Sequence, residues 1–206
     1  LTIGNFNVAV GHKALSTSVD GDQNVAIGYL ALEDYEGADG EGFNTAIGSQ
    51  SQAQATTGTN NTSLGAYAMG IGVVTGSNNV ALGNAALQDI TAGVHNIAIG
   101  REALGSEDAH GYNVAIGGYA LQDQDAGANA YNIAIGYEAG KDVTTGTANT
   151  ILGSQAGNAL TTGISNVAIG KDSLGAEDAH GNNTAVGTFA MQDLNAGAHG
   201  ENVAVG

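Results

Sequence analysis

The composition of this 206-residue chain excludes several classes of protein. The chain has 34 glycines and no proline, tryptophan or cysteine, and its 20 acidic residues against four basic ones give a net charge of −16. This charge repels phosphate backbones and anionic lipid headgroups, so we expect no nucleic-acid partner and no direct membrane contact. Without cysteine the chain has no disulfide, thiolate nucleophile or zinc–thiolate site.

One short motif recurs along the whole chain. It consists of asparagine, three mostly apolar residues and glycine, and it occurs twelve times at intervals of 17 to 20 residues. Intervals of this length are too short for a helix pair or a propeller blade and are typical of one turn of a β-solenoid. The sequence therefore predicts an all-β fold in which residues 1–206 form one parallel β-solenoid of about 12 coils. The asparagines are Asn7, Asn24, Asn44, Asn61, Asn79, Asn96, Asn113, Asn132, Asn149, Asn166, Asn183 and Asn202.

The motif predicts a short strand with one bulky face and one flat face. In the copy at 24–28 the first and third residues after asparagine are Val25 and Ile27, and Ala26 lies between them. This is the period-2 alternation of a strand. Equivalent residues of successive coils stack into columns. We expect the column of large residues, such as Val25 and Ile27, to fill the coil interior and the column of small residues, such as Ala26, to face outward. The pattern x-x-Ala-Leu after the glycine, as in Ala86-Leu87, predicts a second short strand with a third interior residue.

A coil with so thin a core favours self-association. Burial of three large side chains stabilises each coil by about 5 to 7 kcal/mol, and the conformational entropy lost by ordering the whole coil opposes this gain. A flat column of small residues lets another backbone approach, and a closed ring of identical chains covers every copy at once. Ile151 is the only large residue in this column, so we expect either the interface to widen or the neighbouring 153–157 stretch to yield there. The predicted interface residues are Ala26, Ala46, Ala81, Ala98, Ala115, Ala134, Ala168 and Ala185.

The asparagine and glycine of the motif have predicted structural roles. The glycine suits a positive φ or a tight backbone approach, and the asparagine can form a hydrogen-bonded ladder between coils. No serine, histidine and acid occur in a recognisable catalytic context, so we expect no catalytic residues, no cofactor-binding residues and no enzyme activity. Representative structural positions are Asn24, Gly28, Asn96, Gly100, Asn113, Gly117, Asn166 and Gly170.

The pattern Asn-Val-Ala-Ile-Gly-x-x-Ala-Leu, repeated along residues 1–206, resembles the head repeats of trimeric autotransporter adhesins, the YadA-like left-handed parallel β-roll. Similar repeats occur in phage tail fibres and in secreted surface fibre proteins. The resemblance implies a left-handed homotrimer that is extracellular or on a cell surface and adheres to a surface or host matrix. The coils here are longer than those of the adhesin heads, and the sequence shows no neck, stalk or anchor. We therefore expect a segment of a longer fibre.

Three functions are compatible with these features. The first is a structural and adhesive fibre segment that presents loops to a glycan or host surface. Its partner would be further copies of the same chain, in a homotrimer and also end to end in a filament. The second is a tail-fibre shaft with receptor-binding function on a virion. The third is a polysaccharide hydrolase, which would need two carboxylates at a fixed separation, whereas the acidic residues here are scattered over loops.

Aromatic residues beside the motif are candidates for ligand contact. Rings flanked by carboxylates can stack on sugars, and they can equally cover the coil edges. Further rings precede the asparagine, at Phe6, Phe43, Tyr112 and Tyr131. The candidate contacts follow the glycine: Tyr29, Tyr67, Tyr119, Tyr137 and Phe189.

Acidic loop residues are candidates for calcium, and we expect no other cofactor. Their spacing matches neither an EF-hand nor the nonapeptide of calcium-binding rolls, which favours solvated loops over a calcium site. The candidates are Asp34, Asp39, Asp123, Asp125 and Asp193.

The sequence also contains an internal duplication. Residues 100–136 recur at 170–206 with 20 of 37 positions identical, and both copies contain Glu-Asp-Ala-His-Gly. A metal could use His110 with Asp108, although duplication of a turn explains the recurrence as well.

Overall fold

The computed structural model describes residues 4–18, 20–38, 41–70, 72–107, 109–176, 179–194 and 200–206. Within these ranges the chain is an all-β parallel solenoid of about 11 turns without helices, so no helix there could cross a membrane. Every motif copy forms one three-residue strand. The strands are β1 (Val8–Val10), β2 (Val25–Ile27), β3 (Thr45–Ile47), β4 (Thr62–Leu64), β5 (Val80–Leu82), β6 (Ile97–Ile99), β7 (Val114–Ile116), β8 (Ile133–Ile135), β9 (Thr150–Leu152), β10 (Val167–Ile169), β11 (Thr184–Val186) and β12 (Val203–Val205).

The strands form a single sheet in sequence order, and each pairs in parallel with the strands before and after it. The register places equivalent motif residues side by side, so that Ala98 lies between Ala81 and Ala115. At about 4.8 Å per strand, eleven intervals give a sheet about 53 Å long. The predicted all-β parallel solenoid with one strand per motif is confirmed. Its left-handed sense and its trimeric state remain predictions.

The predicted orientation of the two strand faces is wrong. The middle residues of β2 to β11 are fully buried within one chain, whereas the first and third residues of every strand are partly or largely exposed. Large side chains that follow the motif glycine, such as Leu104, already fill the interior beside the strand. The middle strand position therefore mostly holds alanine, and the bulkier first and third side chains of the strand point outward. A residue enclosed by its own coil cannot form an interface with another chain. The correction applies to Ala26, Ala46, Ala81, Ala98, Ala115, Ala134, Ala168 and Ala185.

The predicted second strand is also absent from the described ranges. The segment after each motif glycine is a turn, because two of its residues have left-handed backbone, as in Glu102 (φ 53°) and Leu104 (φ 49°). Its backbone still bonds from coil to coil, and Leu104 N donates to Ala120 O at 3.0 Å. The large residue of this segment does lie in the interior, since Leu104 is fully buried.

Three columns of side chains therefore fill the solenoid. The first is the strand alanine, the second is the leucine or methionine four residues after the motif glycine, and the third lies seven residues after that glycine. In one coil these are Ala81, Leu87 and Ile90, all fully buried. The third column was not predicted from the sequence, because the residues that form it vary between coils. Buried members include Tyr35, Ala55, Ile90, Glu107, Gln124, Val143 and Leu160.

Ile151 shows how the interior adjusts to one large residue. It replaces the usual alanine and is fully buried, and the second column carries Gly140 and Gly157 where most coils have leucine or methionine. A Cβ atom on Gly140 would lie 2.8 Å from Ile151 Cδ1, and one on Gly157 would lie 3.3 Å from it. The isoleucine thus occupies space that the two glycines leave open, and the 153–157 stretch accommodates it as an interior neighbour.

Candidate functional site: an apolar sheet face and its borders

The outward face of the sheet carries two large side chains from each strand. All of them are valine, isoleucine, leucine or threonine, and none is buried. In the middle of the sheet Leu64 is 50% exposed, Ile133 43% and Leu152 44%. Single exposed apolar residues are ordinary on a protein surface, but a continuous apolar stripe along twelve strands is typical of an interaction surface.

Each strand from β2 to β11 is bounded by a buried asparagine and a motif glycine that fix the spacing of this face. Asn96 Oδ1 accepts a hydrogen bond from Asn113 N at 3.0 Å, and Asn96 Nδ2 donates to His110 O at 2.8 Å. At the other end of the strand Gly100 has φ +135°, and a Cβ there would lie 2.5 Å from Gly117 O in the next coil. The asparagine ladder and the glycine contact therefore hold successive strands in register.

Exposed aromatic side chains lie just outside both ends of the strands. Of the candidates that follow the glycine, Tyr29, Tyr67, Tyr137 and Phe189 are 42–52% exposed, and Tyr119 is partly exposed. Tyr119 and Tyr137 meet edge to face with centroids 6.0 Å apart. Basic side chains cover two of the rings, Arg101 over Tyr119 and Lys171 over Phe189.

A second aromatic column precedes the asparagines. His95, Tyr112 and Tyr131 from three successive coils stack with centroid distances of 5.1 and 5.2 Å. Tyr112 and Tyr131 remain 42% and 57% exposed, so the stack leaves aromatic surface open to a ligand. His95 was missed by the sequence reasoning, because its role depends on the coil period that places it beside Tyr112.

Those acidic calcium candidates that lie in the described part of the chain do not form one site. Asp34, Asp123 and Asp193 are exposed, and Asp193 lines a shallow open depression together with Asp172 and Gln192. Asp39 and Asp108 lie outside the described residues. Asp125 is different, because its Oδ1 lies 3.8 Å from His110 Nδ1 and it shares a cluster with Glu107.

Lys13, Arg101 and Lys171 each form an ion pair with a neighbouring acidic side chain. Lys13 pairs with Glu33 at 3.1 Å, and this hydrogen bond raises the pKa of the lysine. Arg101 contacts Glu102 at 3.0 Å, and Lys171 contacts Asp172. The outward strand face contains no charged residue among its first and third strand positions. Charge therefore surrounds this face without interrupting it.

Comparison of the chain with protein-family models, with curated proteins and with solved structures found no match.

Proposed function

We propose that this chain is a rod-like structural and adhesive segment of an extracellular fibre, which assembles as a homotrimer through the outward face of its sheet. The observation that carries the proposal is the uncharged stripe of valine, isoleucine, leucine and threonine that one chain leaves uncovered. The role is mechanical and adhesive rather than enzymatic. Extracellular or cell-surface location follows from the resemblance to adhesin heads, and the same rod would serve equally as a tail-fibre shaft on a virion.

A second copy of the chain is the partner that fits this face best. The stripe repeats with the strand spacing, so an identical chain in parallel orientation presents apolar side chains with the same period along its whole length. Cyclic symmetry lets every chain bury the same stripe without leaving an uncovered copy. The resemblance to adhesin heads implies that the assembly has three chains. The exposed apolar side chains are the independent reason to expect that another chain covers this face.

Replacement of Ile133 by glutamate tests this assembly. Ile133 lies in β8 and is 43% exposed in one chain, so the glutamate is hydrated in a monomer and becomes buried beside its symmetry copies in a trimer. Burial of unpaired charge costs several kcal/mol, so we expect association to weaken by at least about 100-fold. Light scattering after size-exclusion chromatography measures the mass, and circular dichroism checks that the strands remain.

Two further variants make the result specific. Thr57→Glu adds the same charge at an exposed turn and should leave the trimer intact. Ala115→Glu places the charge inside the coil and should unfold the chain, because Ala115 is fully buried. A wild-type chain that stays monomeric, or an Ile133→Glu chain that assembles like the wild type, would refute the proposed interface.

The aromatic columns are the surface we assign to a glycan or host ligand. Stacked rings with one open side offer the planar apolar contact that sugar rings use, and the nearby carboxylates offer hydrogen-bond acceptors. Glycan-array binding by the wild-type chain, lost in Tyr131→Ala while the trimer persists, is the measurement that supports this assignment. An unchanged binding profile in Tyr131→Ala would remove it.

A further inference from the structure

One corner of the solenoid places a glutamate where other coils bury an apolar side chain. Glu107 lies seven residues after Gly100 and is fully buried, at the position that Ile90, Val143 and Leu160 occupy elsewhere. A buried carboxylate is costly unless its oxygens are used. Its Oε2 accepts a hydrogen bond from Asn113 Nδ2 at 3.2 Å, and its Oε1 accepts one from His110 N at 2.9 Å.

Two more ligand atoms converge on the same carboxylate. His110 Nδ1 lies 3.6 Å from Glu107 Oε1 and 3.8 Å from Asp125 Oδ1, and the three ligand atoms all lie within 4.8 Å of one another. The histidine nitrogen is shielded from solvent and makes no hydrogen bond within the described part of the chain. The cluster thus combines two carboxylate oxygens with an imidazole nitrogen that has no hydrogen-bonding partner.

This donor set favours zinc over calcium. Calcium takes six to eight oxygen ligands, whereas zinc accepts imidazole nitrogen and carboxylate oxygen in a tetrahedral shell. Zinc–ligand bonds of about 2.0 to 2.1 Å require neighbouring ligand atoms about 3.3 Å apart. The distances from the imidazole nitrogen exceed this by only a few tenths of an ångström, so small side-chain rotations would close the shell.

We propose that Glu107, His110 and Asp125 bind one Zn²⁺ ion per chain, with water as the fourth ligand. The ion would join two successive coils, because Asp125 belongs to the coil after that of Glu107 and His110. The net charge of −16 favours cation binding at this position. The site is separate from the apolar strand face and does not depend on the proposed assembly.

Isothermal titration of zinc chloride into the tag-free, chelator-stripped chain tests the site. We expect about one tight zinc ion per chain and a higher melting temperature in its presence. Loss of a group that hydrogen-bonds to a metal ligand typically weakens metal binding by 10- to 100-fold, so we expect loss of the ligand itself in His110→Asn to weaken it by about 100-fold or more. Asp125→Asn should also weaken zinc binding. The repeat already carries asparagine at the position equivalent to Asp125, Asn195 in the duplicated segment.

Glu107→Gln separates metal binding from folding. Gln124 occupies the equivalent position in the next coil, where it is fully buried and accepts a hydrogen bond from Asn132 Nδ2 at 2.6 Å. Glutamine at 107 should therefore preserve the fold and lose tight zinc binding. His95→Asn is the matched histidine control and should bind zinc like the wild type.

A measurement on the wild-type chain keeps the test independent of any variant. Nitrogen-15 NMR should show a zinc-dependent shift of the His110 Nδ1 resonance while the His95 ring nitrogens stay unchanged. Absence of tight zinc binding, or equal affinity in folded wild-type and His110→Asn chains, would overturn the proposal. Binding that calcium at equal concentration abolishes would also contradict it, since that outcome indicates an oxygen-only site.

Discussion

At the residue scale, the asparagine of each motif holds the solenoid together. Its side chain accepts a hydrogen bond from the next asparagine backbone and, in most coils, donates to a turn carbonyl 14 residues ahead, as Asn149 does to Gly163 O at 2.8 Å. Asparagine supplies both a donor and an acceptor on a short side chain. The ladder connects neighbouring coils at a place where no water reaches.

Replacement of Asn96 by alanine should destabilise the chain by about 2 to 4 kcal/mol, because it leaves Asn113 N and His110 O buried without these partners. Denaturant unfolding followed by circular dichroism measures the change. Asn84→Ala is the control, since that side chain is exposed and its effect should stay within about 0.5 kcal/mol. Equal unfolding midpoints for the two variants would show that the ladder does not stabilise the fold.

At the element scale, the volumes of the interior columns are matched around the one large residue of the first column, Ile151. The coil of β5 combines Ala81, Leu87 and Ile90, whereas the coil of β9 combines Ile151, Gly157 and Leu160. A large residue in the first column thus accompanies the smallest residue in the second. Interiors are packed tightly enough that either residue changed alone should cause a cavity or a clash.

Ile151→Ala should cost about 2 to 4 kcal/mol, because it leaves a cavity between Gly140 and Gly157. Gly157→Leu alone should cost about 1 to 3 kcal/mol, because its Cβ would lie 2.8 Å from Leu160 Cδ1 and 3.3 Å from Ile151 Cδ1, whose space the longer side chain needs. The double variant combines alanine and leucine in the first two columns, as the β5 coil does, and should recover at least half of the loss from Ile151→Ala. A double-mutant cycle by chemical denaturation measures the coupling, and additive losses would show that the columns do not share one space.

At the scale of the whole molecule, net charge opposes association of the chains, whereas the exposed apolar surface favours it. Each chain carries a net charge of −16, so the proposed assembly through the uncharged face would have to overcome repulsion between like-charged chains. Salt screens this repulsion, and it leaves burial of apolar side chains intact. The sign of the salt dependence therefore distinguishes an apolar interface from one held by ion pairs.

We expect association to strengthen by about tenfold or more between 0.1 and 1 M sodium chloride, as the Debye length falls from about 10 Å to about 3 Å. Analytical ultracentrifugation of the wild-type chain measures this dependence. Weaker association at the higher salt concentration would indicate that ion pairs across the interface, rather than the sheet face, hold the chains together.

The sequence alone determined the repeat, the twelve strands, their parallel order and the roles of asparagine and glycine, because the motif spacing and the residue alternation are local. The tertiary structure decided which strand face lies inside. Both faces are uncharged and largely apolar, so the choice depends on the interior volume that the other buried columns leave beside the strand. In β7 that volume holds Ala115, while Val114 and Ile116 lie on the partly exposed face. It also brought Asp125 to Glu107 and His110, since contacts between successive coils depend on how each loop folds.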